Sequence, residues 1–139
     1  MSAYNKFNCF VGDLANGVHN LTTATLKVML TDTAPVATNT IKSNITEIAA
    51  GNGYVAGGIA AALVSDNDVS GLFTLIIAQP SVTASGGNIA QFRYAVLYNS
   101  SNANGNLIAW FDFGAEVNLT NGNTFTVAFN QSTGVFTLQ

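Results

Sequence analysis

Charge is scarce in this chain. Charged residues make up 8% of the 139, where ordinary soluble domains carry roughly 25%. The basic ones (Lys6, Lys27, Lys42 and Arg93) are scattered along the sequence and form no run that could track a phosphate backbone, which excludes nucleic acid as an expected partner. Cysteine is almost missing too. The single Cys9 excludes an internal disulfide framework and fits a reducing compartment. Long apolar runs are also absent, although 48% of the residues are hydrophobic and the mean hydropathy is +0.32. The longest, "IAAALV" (59–64) and "LIIA" (75–78), fall far short of the roughly 18 residues a spanning helix needs, so no membrane partner is expected. The segment "MSAYNKFNCF" has no basic stretch leading into an apolar one. The expectation is a chain made in a cytoplasm that does not cross a membrane by itself.

Asn, Ser, Thr and Gly fill the space that charge leaves: "TNTIKSN", "NSSNANGN", "NLTNGNT", "NQSTG". These residues favour turns and hydrogen-bond their own backbone, but they repel neighbouring molecules weakly. The N-x-S/T sequons at Asn20, Asn44, Asn99, Asn118 and Asn130 follow from that composition and do not mark glycosylation. A net charge of −3 on an apolar-rich chain predicts a surface covered by other subunits, including copies of itself as dimers or trimers.

The periodicity predicts an all-β fold: an antiparallel β-sandwich, jelly-roll or Greek-key like, in one domain spanning 1–139 with a short N-terminal helix. The helix is expected over 5–19, where Phe7, Phe10, Val11, Leu14 and Val18 recur at three- and four-residue spacing. Gly12 and Gly17 weaken it by roughly 1 kcal/mol each, so its stripe must pack onto the sandwich or a neighbour. Strands are expected at 25–31, 59–65, 72–78, 92–99, 107–113, 124–130 and 134–139, separated by the turn clusters "DNDVSG", "SVTASGG", "NSSNANGN", "NLTNGN" and "QSTG". In 25–31, Leu26, Val28 and Leu30 alternate with Lys27 and Met29, a half-buried pattern. The segment 44–58 suggests one helical turn followed by a Gly-rich bend.

The runs "FRYAVLYN" and "LIAWFDF" form a hairpin around "NSSNANGN". Setting Tyr98 opposite Leu107 places the only arginine, Arg93, opposite Asp112. That register collects Phe92, Tyr94, Val96 and Tyr98 with Leu107, Ala109, Phe111 and Phe113 on one face. Arg93, Ala95 and Leu97 share the other with Ile108, Trp110 and Asp112. Both faces are apolar, so the hairpin is expected to be central and covered on both sides. A lone cation there needs a carboxylate, and Asp112 supplies it.

Catalytic material is thin, and no enzyme is expected. Cys9 and His19 sit ten residues apart on the expected helix, roughly 15 Å along its axis, too far for a nucleophile–base dyad. Cys9 reads as a small hydrophobe and His19 as a helix-end residue. "GNGYVA" (51–56) matches the short dinucleotide fingerprint but leads into a β-type run, so its glycines mark a bend or close backbone approach. "DNDVSG" (66–71) begins like a calcium loop, yet Ile77 stands where the bidentate glutamate belongs; a polar turn is expected. Asp13, Asp32, Glu47 and Glu116 are isolated in sequence. No cofactor or metal is expected.

Three stretches taken together, "MSAYNKF" with "TLKVMLTDTAPVATNT", "ITEIAAGNGYVAGG" and "TASGGNIAQFRYAVLYN", resemble a family of small structural proteins encoded among the virion genes of tailed bacteriophages. Members of such families are similar to capsid decoration (cement) proteins, and some small phage β-sandwich proteins belong to tails. The resemblance implies a virion protein on the capsid surface whose partner is the major capsid protein. A tail or tail-tip component, or a module that binds a host-surface glycan, is the alternative. Phe7, Phe10, Leu14, Val18, Phe111 and Phe113 are the expected packing or interface anchors.

Overall fold

The computed structural model describes residues 3–139; the first two residues of the expected 1–139 domain lie outside the described residues. The elements run β1 (Ala3–Lys6), α1 (Cys9–Ala15), β2 (Leu26–Thr31), a 3₁₀ turn (Lys42–Asn44), β3 (Ile59–Ala60), β4 (Leu63–Val69), β5 (Leu72–Ile77), β6 (Ser81–Thr83), β7 (Phe92–Asn99), β8 (Leu107–Val117), β9 (Thr124–Thr126) and β10 (Phe136–Leu138). All pairings are antiparallel. One sheet has the order β1-β8-β7-β2-β3, a second β10-β5-β4, and β6 pairs with β9. The protein is an all-β, sandwich-like fold with one short helix.

The main core lies between the sheets. Val28 and Leu30 of β2, Ala95 and Leu97 of β7, and Phe111 of β8 pack in one cluster with Leu75 and Ile77 of β5 and Phe136 of β10. A smaller cluster of Phe7, Met29, Val96, Tyr98 and Leu107 occupies the other face of the first sheet. The chain from 32 to 48 helps cover that face, tied down by Asn8 N–H to Ala37 O at 2.9 Å, Leu107 N–H to Thr40 O at 3.0 Å and Lys42 N–H to Gly105 O at 2.9 Å. Met29 is therefore fully buried. The two-sided apolar character of the central hairpin has this cause: burying each large aliphatic side chain contributes about 1.5–3 kcal/mol, and here both faces have something to bury against.

The sheets are strung together at one side. Ala61 N–H reaches Leu26 O of the first sheet, and Ala62 O accepts from Ala78 N–H beside the second, so residues 59–69 pass from one sheet to the other. At the opposite side β1 and β10 are terminal strands. There α1 contributes Phe10, whose ring meets Phe136 edge-on at 5.3 Å, while Tyr4 lies 6.4 Å from the same ring.

Several expectations change. The helix is Cys9–Ala15, not 5–19. Residues 3–6 form β1 against β8, and Gly17 at φ +76 carries the chain out of the helix. β6 falls inside the expected turn "SVTASGG", and most of "DNDVSG" is strand β4. The β7–β8 register is Tyr98↔Leu107 and then Leu97↔Ala109, so Ile108 is the extra residue of a bulge. Beyond it Tyr94 lies opposite Asp112, and Ala95 and Leu97 share the core face with Ala109 and Phe111. Val96 and Tyr98 turn to the other face with Trp110. A one-residue shift reverses every facing assignment beyond it.

Where β3 stops, a side chain continues the ladder beside β2. The Tyr54 hydroxyl accepts from Leu30 N–H at 3.0 Å and donates to Glu47 Oε1 at 2.8 Å, and the same carboxylate oxygen accepts from Gly57 N–H at 2.8 Å. Burial, with the Glu47 carboxylate adding to it, pushes the Tyr54 phenol far above its ordinary value.

Candidate functional site

The Arg93–Asp112 ion pair is present, with Nε donating to Oδ1 at 2.8 Å and a second guanidinium N–H to Oδ2 at 3.1 Å. The route to it differs from simple opposition. Between Phe92↔Val117 and Tyr94↔Asp112, Arg93 alone spans the stretch that 113–116 covers on β8. This irregularity brings Arg93 to Asp112 although Tyr94 holds the opposing position. Gly114 N–H also donates to Asp112 Oδ1, at 2.7 Å. The hydrogen bonds from Arg93, then from Gly114, hold the Asp112 carboxyl below its usual range, and Asp112 in turn raises the guanidinium. Both side chains are about one-third exposed, so the pair orders the irregular stretch between β7 and β8 and is not a buried ligand site.

The expected anchors divide. Phe10 is buried in the main core and Leu14 packs against it. Phe7 lies before the helix and buries on the other face of the sheet against Trp110, with ring centroids 4.6 Å apart. Val18 lies past the helix and is half-buried. Phe111 is a core residue and is not available as an interface anchor. Phe113 is half-buried, edge-on to Phe125 at 4.9 Å.

His19 does not sit at a helix end. The chain folds back after Gly17 and buries its ring beside Phe10, at 5.5 Å. Asn99 Oδ1 accepts from Ser101 N–H, so Asn99 Nδ2 is the donor to His19 Nδ1 at 3.1 Å. That places the imidazole proton on Nε2, which has no hydrogen-bond partner and lies 4.0 Å from Asp13 Oδ2. Burial lowers the His19 pKa and Asp13 opposes this only partly. Cys9 Sγ faces the carbonyl oxygens of Asn39, Thr40 and Leu107 at 3.6–3.7 Å. Burial and then Asp13 raise its pKa, which disfavours the thiolate.

The nucleotide-like and calcium-like motifs become backbone devices. Gly51 and Tyr54 close a tight bend, with Gly51 N–H to Tyr54 O at 2.8 Å. A Cβ on Gly53 would fall 2.2 Å from Thr83 O, so this glycine permits close backbone approach. In "DNDVSG" the turn is confined to Ser70 and Gly71, both at positive φ, a two-residue hairpin loop between β4 and β5. Asp66 Oδ2 accepts from the Thr22 hydroxyl at 2.5 Å. Among the described residues no group of three or more His, Cys, Asp or Glu side chains is placed to hold a metal ion.

What remains is surface. Its 6671 Å² is close to the roughly 6800 Å² that a chain of this mass exposes when folded. Seven acidic and four basic residues over that area amount to about one charge per 600 Å². Large aliphatic side chains stand in the open: Val55 is 70% exposed, Val69 68%, and Val36 and Val64 58% each. Val64 and Val69 belong to β4, which among the described residues pairs only with β5 and is the terminal strand of its sheet. An apolar groove of about 530 Å³ lies among β1, β10 and α1, lined by Tyr4, Val11, Leu14 and Leu138. Lys27 and Lys42, far apart in sequence, border one pocket. The scatter of basic residues along the sequence hides this, and the β2–β7 pairing that puts Lys27 opposite Tyr98 is the signal that locates it. Comparison with family models, curated proteins and solved structures finds no match.

Proposed function

We propose that this protein is a non-enzymatic structural component of a phage particle, a decoration protein that binds the outside of the head and adds contacts between major capsid subunits. The observation that carries this reading is the surface. Exposed valines stand on a chain with few ions, and a surface of that kind loses little when a partner covers it, because little charge must be desolvated. Polar loops such as 100–106 and 118–123 supply amides for a wet rim. The resemblance of the stretches at 1–7, 25–40, 45–58 and 83–99 to small virion proteins agrees with it. A glycan-binding module fits less well. Sugars are held by exposed aromatic faces, and the large exposed hydrophobic side chains of the described residues are aliphatic apart from Tyr4.

Packaged DNA pushes outward on a head, and a clamp across subunits must lose its contacts before they separate. Each copy needs only a modest interface, since many copies act on one closed lattice. The test is densitometry of purified particles together with heat challenge of particles lacking the protein. Hundreds of copies per particle and DNA release at lower temperature are expected. A handful of copies, or unchanged DNA retention, overturns the decoration reading and favours a tail component.

A further inference from the structure

Two of the chain's four basic side chains, Lys27 and Lys42, meet at one polar pocket of about 460 Å³ that Tyr98, Ser100, Ser101 and Asn102 also line. The chain is net acidic, yet no carboxylate lines this pocket. Neither lysine has an ion-pair or hydrogen-bond partner among the described side chains; the ion pairs there are His19–Asp13 and Arg93–Asp112. Glu47, which approaches the pocket wall at Gly57, is already engaged by Gly57 N–H and the Tyr54 hydroxyl.

The frame around the two ammonium groups is built. Lys27 leaves β2 opposite Tyr98 of β7. Lys42 begins the 3₁₀ turn, fixed by its N–H to Gly105 O at 2.9 Å, and its Nζ lies 5.8 Å from the centre of the Tyr98 ring. A Cβ on Gly105 would fall 2.8 Å from Lys42 Cβ, so this glycine lets the lysine stem lie against the loop. The Tyr98 hydroxyl donates to Gly57 O at 2.5 Å, which fixes the ring under the cation. Ser101 Oγ accepts from Thr25 N–H at 2.7 Å, leaving its own hydrogen free to donate. Two cations gathered without a counter-charge repel one another, and an anion held between them reverses the sign of that interaction.

We propose that this pocket is a binding site for a compact oxyanion, a carboxylate or phosphate group, held by the Lys27 and Lys42 ammonium groups and the Ser101 hydroxyl. The site does not depend on the capsid reading. Its ligand is a free small anion or an acidic side chain of a bound polypeptide, which present the same chemistry.

The experiment is a titration of the full chain at low ionic strength, followed by amide chemical shifts, with citrate, inorganic phosphate and a tetra-aspartate peptide as separate probes. Saturable shifts in residues 98–105 are expected with at least one probe. Lys27→Gln and Lys42→Gln should each weaken binding about tenfold, while Lys6→Gln, whose side chain lines the distant apolar groove, should leave it unchanged. Salt at roughly 150 mM should weaken it further. Tighter binding of the peptide assigns the site to a polypeptide partner, and tighter binding of citrate or phosphate to a free anion. Lys6 and Lys42 are exposed and Lys27 is half-buried, and matching melting curves confirm that each variant is folded. Absence of saturation with all three probes, or Lys27→Gln and Lys42→Gln indistinguishable from Lys6→Gln, overturns the proposal.

Discussion

Removing one oxygen atom from Tyr54 should cost this fold several times more than a typical surface substitution. Tyr54→Phe keeps the ring, which is 2% exposed, and deletes a hydroxyl that both accepts and donates. The donated bond goes to a carboxylate, a class worth about 1.5–3 kcal/mol. The accepted bond leaves Leu30 N–H without a partner in a buried strand, a cost of about 1–3 kcal/mol. Partial relaxation brings the expected loss to about 3 kcal/mol, or roughly 10 °C in melting temperature for a chain of this size. Tyr98→Phe is the control. It also removes a buried tyrosine's hydroxyl, but that group makes one bond, to the carbonyl of Gly57 at the polar pocket, so about 1 kcal/mol is expected. Urea denaturation of both variants beside the parent gives the comparison, with unchanged slopes showing that the same surface unfolds. If Tyr54→Phe costs no more than Tyr98→Phe, the hydroxyl is not what completes the edge of β2, and the reasoning fails.

Four further outcomes are expected. Phe10→Ala should cost about 3–5 kcal/mol by urea denaturation, while Val11→Ala one position on should stay within about 0.5 kcal/mol, because Phe10 is buried and Val11 is 55% exposed. Below pH 6.5, the ordinary histidine value, stability should decline: folded His19 resists the proton that the unfolded chain accepts, and His19→Gln should flatten that part of the profile. At still lower pH, beneath the ordinary aspartate value of 3.8, the contribution of Asp112 should vanish as pH falls through its depressed folded value. Asp112→Asn should remove that acid-side slope without touching the histidine one. Ser70→Asn should raise the urea midpoint slightly, since Ser70 holds φ +54 at the first position of a two-residue hairpin loop where asparagine is preferred.

The strands that could be read in the sequence are those whose burial leaves a period. "LKVMLT", "LFTLII" and "FRYAVLYN" are long and apolar enough to declare themselves. β1 and β6 are not, because "AYNK" and "SVT" are short and polar and become strands only by pairing with β8 and β9. Phe7 and Phe10 look like one helical stripe, yet the chain turns between them and sends each to a different face of the sheet. The ion pair of Arg93 was legible as chemistry, since a lone arginine in an apolar hairpin needs a carboxylate. Its register was not, because no residue in "NGNLIAWF" announces that Ile108 bulges. The lysine pocket was invisible for a related reason: it joins positions 27, 42 and 98–105, and only tertiary pairing makes them neighbours.

The seam where Tyr4, Phe10 and Phe136 meet has a consequence in time. Its two sides come from opposite ends of the described chain, and during synthesis the ribosome releases the first more than a hundred residues before the second. Until β10 emerges, Phe10 has lost the ring that covers it. The aromatic residues of the N-terminal segment must therefore wait in water or in the shelter of another protein. Contacts this distant in sequence make loop closure expensive and folding slow. Truncation just before residue 136 should thus leave an adhesive, incompletely folded chain.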